Sequence, residues 1–154
     1  MSARGGGLAL AFVAAVAACS RAPSGAPASE ARAEPHYYEE GCDDAAFDRA
    51  RATSADGTEV TVCGHVISVA GDVRTRGGLH KHWRLDVHDR RDFVEIDSNE
   101  DLEGPIDVAR GAYAIVRGAY YADPGGRDGI HYTHRDPRGR HEAGWILIDG
   151  RLYQ

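Results

Sequence analysis

Apolar and polar residues alternate along residues 79–89, LHKHWRLDVHD, and this alternation predicts a β-strand with one buried face. The apolar face carries Trp83, Leu85 and Val87. The opposite face carries only polar residues: His80, His82, Arg84, Asp86 and His88. A strand of this kind covers a core on one side and offers ionisable groups on the other.

Four more segments are typical of strands, because they are rich in β-branched and aromatic residues and are bounded by turn formers. They are residues 58–70, 92–97, 112–121 and the segment that begins with IHYTH at 130–134. Gly64 inside the first of them predicts a bulge or a sharp bend. A hairpin-like element around Asp149–Gly150 closes the chain.

Two other segments complete the pattern. Residues 42–53, CDDAAFDRARAT, predict a short helix, since Asp43 and Asp44 suit its first turn. Residues 99–109 form a connector that contains Pro105 and has room for one helical turn.

Five strands in this order, with a bent first strand and no internal repeat, favour a mainly β fold, a small five-stranded OB-like barrel with one short N-terminal helix. A β-sandwich fits less well because there are too few strands for two sheets. Side chains fill such a barrel, so a ligand would bind at a rim or on the outside.

The N-terminus predicts export. Arg4 precedes the apolar run Leu8–Ala18, which is too short to span a bilayer, and VAAC at 16–19 resembles the lipobox of bacterial lipoproteins. We therefore expect a signal peptide at 1–18 and lipidation of Cys19; the alternative is an ordinary cleavage site before an unmodified cysteine. Ser20 replaces the aspartate of inner-membrane retention, which favours an outer-membrane lipoprotein of the cell envelope, facing the periplasm.

Residues 19–36 are rich in Ala, Pro, Ser and Gly and predict a flexible tether, so a single domain is expected at 37–154. Its two cysteines, Cys42 and Cys63, predict a disulfide, since exported proteins mature where disulfides persist. Two free thiols are the alternative, and the absence of C-x-x-C argues against a redox pair.

The formal net charge is −6, which makes general nucleic-acid binding unexpected. The charge is nevertheless uneven, because residues 127–141 carry four arginines and two aspartates. This segment is the place where an anion would be attracted.

Residues 131–154, HYTHRDPRGRHEAGWILIDGRLYQ, resemble the closing motif of domain-of-unknown-function family 3465, whose members are short exported bacterial proteins. That motif reads H-W-T-H-x-D-P-x-G-x-H-x-x-G-W-I, a short gap, then G-x-x-Y-Q, and Tyr132 stands here for the usual tryptophan. Upstream, the positions similar to the family are His80, Trp83, Asn99, Asp101 and Leu102, and the departures are Ser98 and Glu100. The resemblance covers about Val60 to the C-terminus. It implies an exported small β domain and no particular activity.

His80 and His82 point to the same side of their strand and are therefore candidate ligands of one divalent, zinc-like metal. A third ligand would come from the closing segment, where the candidates are His131, His134, Asp136 and His141. The alternative is a solvated polar strand face.

The same closing segment also predicts a concave rim. The chain must turn between His131 and His134 if both are to face one site, and Asp136–Pro137, Gly139 and Gly144 allow it to fold back. Its candidate anion-binding residues are Arg135, Arg138 and Arg140. Histidine works as a general base and arginine holds phosphate bidentately, so the rim is also a candidate hydrolytic site. The structural alternative is that Asp136 caps a turn, His131 pairs with a carboxylate and Arg138 bridges to the acidic segment.

Two functions follow from these residues. The first is an envelope lipoprotein that acts as a binding module, presenting the rim to a small anionic ligand, a metal or a protein partner. The second is a metal-dependent hydrolase of the nuclease or phosphodiesterase type, with His131, His134, Asp136 and His141 in the catalytic site.

Overall fold

The computed structural model describes residues 41–87 and 93–154. The signal peptide, the lipidated Cys19 and the tether that the sequence predicts lie outside these residues, as do His88 and the turn between the second and third strands. Across the described ranges, no helix has the length and apolar character needed to cross a bilayer.

The chain is mainly β, as the hydrophobic pattern predicts. Its elements are α1 (Asp44–Thr53), β1 (Glu59–Arg74), β2 (Leu79–Val87), β3 (Phe93–Asn99), α2 (Glu100–Glu103), β4 (Tyr113–Tyr121), β5 (Gly129–His131), β6 (Trp145–Ile148) and β7 (Arg151–Tyr153). The described residues contain seven strands rather than five, because the closing hairpin contributes β6 and β7 to the sheet. Its turn, Asp149–Gly150, has φ of 47° and 82°, the left-handed pair that two-residue hairpin turns require.

The seven strands form one sheet in the order β1-β2-β3-β5-β4-β6-β7, and β1 also pairs with β4. The β3–β5 pair is parallel and the other pairs are antiparallel. β5 is short: it ends at His131, so the expected strand does not reach His134. The residues after His131 are therefore free to leave the sheet.

β1 serves two partners, and Gly64 lies where they overlap. Gly64 is opposite Val87 of β2 and also opposite Ala114 of β4. A Cβ at this position would lie 1.8 Å from the carbonyl oxygen of Asp86. Glycine is needed here because the two backbones approach so closely. The expected bulge at Gly64 is wrong, because the register shifts occur later in β1, after Val66 and after Val69.

The core lies under the apolar face of β2, as the alternation predicts. Trp83, Leu85 and Val87 are buried, while His80 and His82 on the opposite face are partly exposed. The indole Nε1 of Trp83 donates a buried hydrogen bond of 2.8 Å to Ser98 Oγ, so the polar atom of this core residue has a partner.

α1 covers one part of this core. The carboxylate of Asp43 caps the helix by accepting from the Ala46 N–H at 2.8 Å, and Phe47 is buried with its ring edge toward Tyr120. The predicted disulfide is confirmed: Cys42, just before α1, is bonded to Cys63 in β1, with 5.8 Å between their Cα atoms. The helix is thus tied covalently to the longest strand.

Candidate functional site

The segment after β5 folds back on itself, as its glycines predict. The Gly144 N–H donates to the His134 carbonyl at 3.0 Å, and a Cβ on Gly144 would lie 2.1 Å from the Tyr132 carbonyl oxygen. Only glycine permits this approach. Residues 132–144 therefore form a closed loop whose histidines are held near β2 and β3.

The side chain of Asp136 holds this loop together through hydrogen bonds to its backbone. Its carboxylate accepts hydrogen bonds from the backbone N–H groups of Arg138, at 2.8 Å, of Arg140, and of His141, at 3.3 Å. Burial alone would raise the pKa of Asp136. The backbone hydrogen bonds and the neighbouring Arg140 guanidinium outweigh this effect and lower the pKa to about 2. Asp136 therefore has the turn-capping role that the sequence left open.

The loop encloses a cleft of about 310 Å³. We call it the histidine cleft. Its lining residues are Gly77, His80, Asp97, Asn99, Leu102, His131, Tyr132, His134, Arg140 and His141. They come from the β1–β2 turn, from β2, β3 and α2, and from β5 with the loop that follows, so distant parts of the chain meet there.

Three imidazoles in the cleft are fixed through Nδ1. His134 Nδ1 is 2.8 Å from the Arg135 carbonyl oxygen and His141 Nδ1 is 2.6 Å from that of Glu142. Because a carbonyl only accepts, both Nδ1 atoms carry the proton. His80 Nδ1 is likewise 2.6 Å from the carboxylate of Asp97. In the neutral form each ring thus keeps the lone pair of Nε2 for another partner.

Two of these Nε2 atoms are buried without a hydrogen-bond partner among the described residues. They belong to His80 and His141. A buried polar atom without a partner costs free energy, so sites of this kind are where a ligand is expected.

Aromatic rings stack along one side of the cleft. Tyr132 lies between His131, with 3.9 Å between ring centroids, and His141, with 4.3 Å. The backbone of Tyr132 has φ of 55°, which is unfavourable for a side-chain-bearing residue and is retained because its neighbours hold the ring. His134 meets the ring of His141 edge-on at 5.0 Å.

Burial sets the protonation of two histidines. It lowers the pKa of His131 and of His134 from the usual 6.5, because charging a buried imidazole removes it from water. Both rings are therefore mainly neutral at pH 7.

Beside the cleft, burial raises the pKa of Glu103 to about 7 although the hydroxyl of Thr133 donates to its carboxylate at 2.5 Å.

Five of the candidate residues that the sequence indicates line the cleft, and four do not. Those in the lining are His80, His131, His134, Arg140 and His141; those outside it are His82, Arg135, Asp136 and Arg138. His82 instead lies 3.5 Å from Glu95 and 3.8 Å from Asp97, and Arg135 donates to Gln154 at 3.1 Å. Among residues 41–87 and 93–154, no three His, Cys, Asp or Glu side chains are grouped so as to hold a metal ion.

Sequence reasoning missed Asp97, the carboxylate that orients His80. In the β2–β3 register His82 is opposite Asp97 and His80 is opposite Asn99, so Asp97 lies diagonally from His80. Fixing the register of this hairpin would have revealed the pair. Gly77 was also missed, since nothing in the sequence indicates that its turn reaches the cleft.

The fold and the cleft together define a class: a small disulfide-linked β domain with a histidine-lined cleft at one loop. The chain belongs to a family of proteins of unknown function, DUF3465, whose family model matches residues 36–154. The family that the sequence suggests is thereby confirmed. Neither the curated proteins nor the solved structures contain a match to the chain.

Proposed function

We propose that this protein is an outer-membrane lipoprotein that works as a binding module, and that the histidine cleft holds a small anionic ligand. The observation that carries this proposal is the pair of buried, unpartnered Nε2 atoms of His80 and His141 in one cleft with the guanidinium of Arg140. An imidazolium donates hydrogen bonds from both ring nitrogens, so these groups and Arg140 suit the oxygens of a phosphate or carboxylate.

We also propose that five of the strands close into an OB-like barrel. The support is the pairing pattern, which runs from β1 through β2, β3, β5 and β4 and returns to β1. In this arrangement the cleft lies at a rim, outside the filled core, where a barrel of five strands leaves room for a ligand.

The ligand proposal predicts a definite pH dependence. Binding an anion favours protonated imidazoles, so anion binding takes up protons and the affinity should rise as the pH falls from 8 to 6. Calorimetric titration of the full-length chain with inorganic sulfate, a phosphate analogue whose charge is the same at both pH values, measures this. Saturable binding that is tighter at pH 6 is expected; affinity that does not change with pH would contradict the role of the imidazoles.

Two variants locate the anion site. His141→Gln removes a cleft imidazole and should weaken sulfate binding about tenfold or more. His65→Gln is the matched control, because His65 is an exposed histidine of β1 that does not line the cleft. Equal losses in both variants would show that the sulfate binds elsewhere.

The lipoprotein part of the proposal has its own test. In Cys19→Ser the thiol that carries the lipid is absent, so the protein should move from the membrane fraction to the soluble fraction and fail to incorporate labelled fatty acid. Retention in the membrane with unchanged labelling would disprove anchoring at Cys19.

A metal-dependent hydrolase is the second candidate. It is favoured by the Asp97–His80 contact, since a carboxylate commonly orients a metal-binding imidazole. The described residues offer no group of three ligands, so a zinc-like ion would need rearrangement of the cleft or ligands from the substrate. Elemental analysis of the purified chain and a melting curve with added Zn²⁺ test this candidate: bound metal or a raised melting temperature supports it.

A further inference from the structure

We infer that the anion is a phosphodiester with a neighbouring hydroxyl, as in a short ribonucleotide, and that the histidine cleft catalyses its transphosphorylation. This inference rests on the proposed function and adds a substrate class and a reaction to it. It requires a general base, a general acid and a positive charge beside the phosphate, and the cleft carries all three.

His80 is suited to be the base. Its Nδ1 contacts Asp97 at 2.6 Å, so the carboxylate fixes the ring and stabilises the positive charge that forms when Nε2 takes a proton. That Nε2 atom is buried and has no partner among the described residues. A hydroxyl of the substrate would provide the missing hydrogen bond.

His141 is suited to be the acid. Its Nδ1 is occupied by the Glu142 carbonyl, so only Nε2 can donate to a substrate. The carboxylate of Asp136 lies 4.0 Å from Nε2, too far to hold its proton in a hydrogen bond. Arg140 directly precedes His141 in the loop and lines the same cleft, where it can neutralise the phosphate oxygens.

In this inference the nucleophile comes from the substrate itself. The described residues that line the cleft include no Ser, Thr, Cys or Lys, and the nearby Thr133 hydroxyl donates to Glu103. A hydroxyl on the carbon next to the one that bears the phosphate is already part of the substrate, so it needs no separate binding step. This proximity raises the rate by several orders of magnitude.

The step balances without another reactant. The hydroxyl oxygen attacks phosphorus while its proton passes to His80 Nε2, and a new O–P bond forms. The P–O bond to the leaving alcohol breaks, with its electron pair going to that oxygen, which takes the Nε2 proton of His141. The products are a cyclic phosphodiester and an alcohol, and solvent returns both imidazoles to their starting protonation.

Size and charge favour a short substrate. A cleft of about 310 Å³ holds a phosphate with one adjoining sugar, and the net charge of −6 opposes a long polyanion. Tyr132 is 43% exposed, so its ring edge beside the two stacked imidazoles provides an aromatic contact for a base.

The test uses the purified full-length chain, a diribonucleotide and its 2′-deoxy counterpart, in the presence of a metal chelator. We expect the ribonucleotide to be converted to a cyclic phosphate product and the deoxy form to be bound but left intact. The rate should follow a bell-shaped pH profile, as base and acid must be in opposite protonation states. Cleavage of both dinucleotides, or activity that the chelator abolishes, would overturn the inference.

Variants exclude a contaminating nuclease and a folding defect. His80→Gln and His141→Gln should each lower the rate about 100-fold or more, whereas His65→Gln, an exposed histidine of β1 outside the cleft lining that is purified in the same way, should retain it. Asp97→Asn tests positioning: it should shift the limb of the pH profile that reports the base, which a purely structural role would not do. Melting curves must show that each variant is folded.

The result separates this inference from the proposed function. If the deoxy dinucleotide binds but the ribonucleotide is not cleaved, the reaction is disproved and the binding module stands. If neither the dinucleotides nor inorganic sulfate bind, both are disproved.

Discussion

Among single residues, Glu103 has an ionisation that affects stability between acid and neutral pH. Its pKa is raised to about 7 in the folded protein, against 4.5 for the ordinary group, and burial is the main cause. Between these values the native state binds more protons than the unfolded state. The free energy of unfolding should therefore fall as the pH rises from 4.5 to 7 and level off above that.

Glu103→Gln should remove this effect while keeping an acceptor for the Thr133 hydroxyl. We expect the variant to be more stable than the native chain at pH 8, by on the order of 3 kcal/mol at most, and similar to it near pH 5. Urea denaturation at several pH values measures the difference. Asp149→Asn, in an exposed turn, is the control and should change nothing; a parallel pH slope in native and variant proteins would contradict the burial effect.

The sequence indicates some residues of the site and misses others. The four cleft histidines and Arg140 were all indicated, because their residue types suggest chemistry wherever they occur. Asp97 was not, since its role depends on a diagonal contact across two strands, which composition and spacing within one strand do not reveal. Arg135 and Arg138 were indicated by charge alone, and charge does not determine the direction of a side chain in a loop.

At the level of strands and helices, the close approach of β1 and β2 at Gly64 makes a sharp prediction. Gly64→Ala would place a Cβ against the Asp86 carbonyl, so the strands must separate, and we expect a loss of about 2–3 kcal/mol or more. Chemical denaturation measures it. Gly71→Ala in the same strand is the matched control, because no atom lies within 4 Å of its Cβ and it should have little effect.

Most elements could be predicted because their periodicity is strong. The alternating face of β2 and the capped α1 are determined by local sequence, and both are confirmed. The end of β5 was set too late, since the left-handed backbone of Tyr132 depends on contacts with His131 and His141 and not on propensity. The bulge in β1 was misplaced for a similar reason: a glycine marks either irregular pairing or close approach, and only the neighbouring strand distinguishes them.

For the whole domain, the Cys42–Cys63 bridge should be a major source of stability. It closes a loop with a sequence separation of 21, which constrains the unfolded chain and is worth about 3 kcal/mol. Reduction should lower the melting temperature by on the order of 10 °C. The double variant Cys42→Ser, Cys63→Ser should melt at the reduced value and should not respond to reductant; equal melting of all forms would show that the bridge contributes nothing.

The pairing of β1 with two different strands also has a consequence for the order in which the sheet forms. Its second half pairs with β2, the next strand to be synthesised, whereas Glu59 at its start pairs with Ala119 near the end of β4. Such distant pairings slow folding, so we expect the β1–β2–β3 meander to form before the first half of β1 pairs with β4. A polypeptide truncated before Tyr113 would keep this strand edge open, and open edges recruit other chains. Interrupted synthesis should therefore yield aggregates rather than a smaller folded domain.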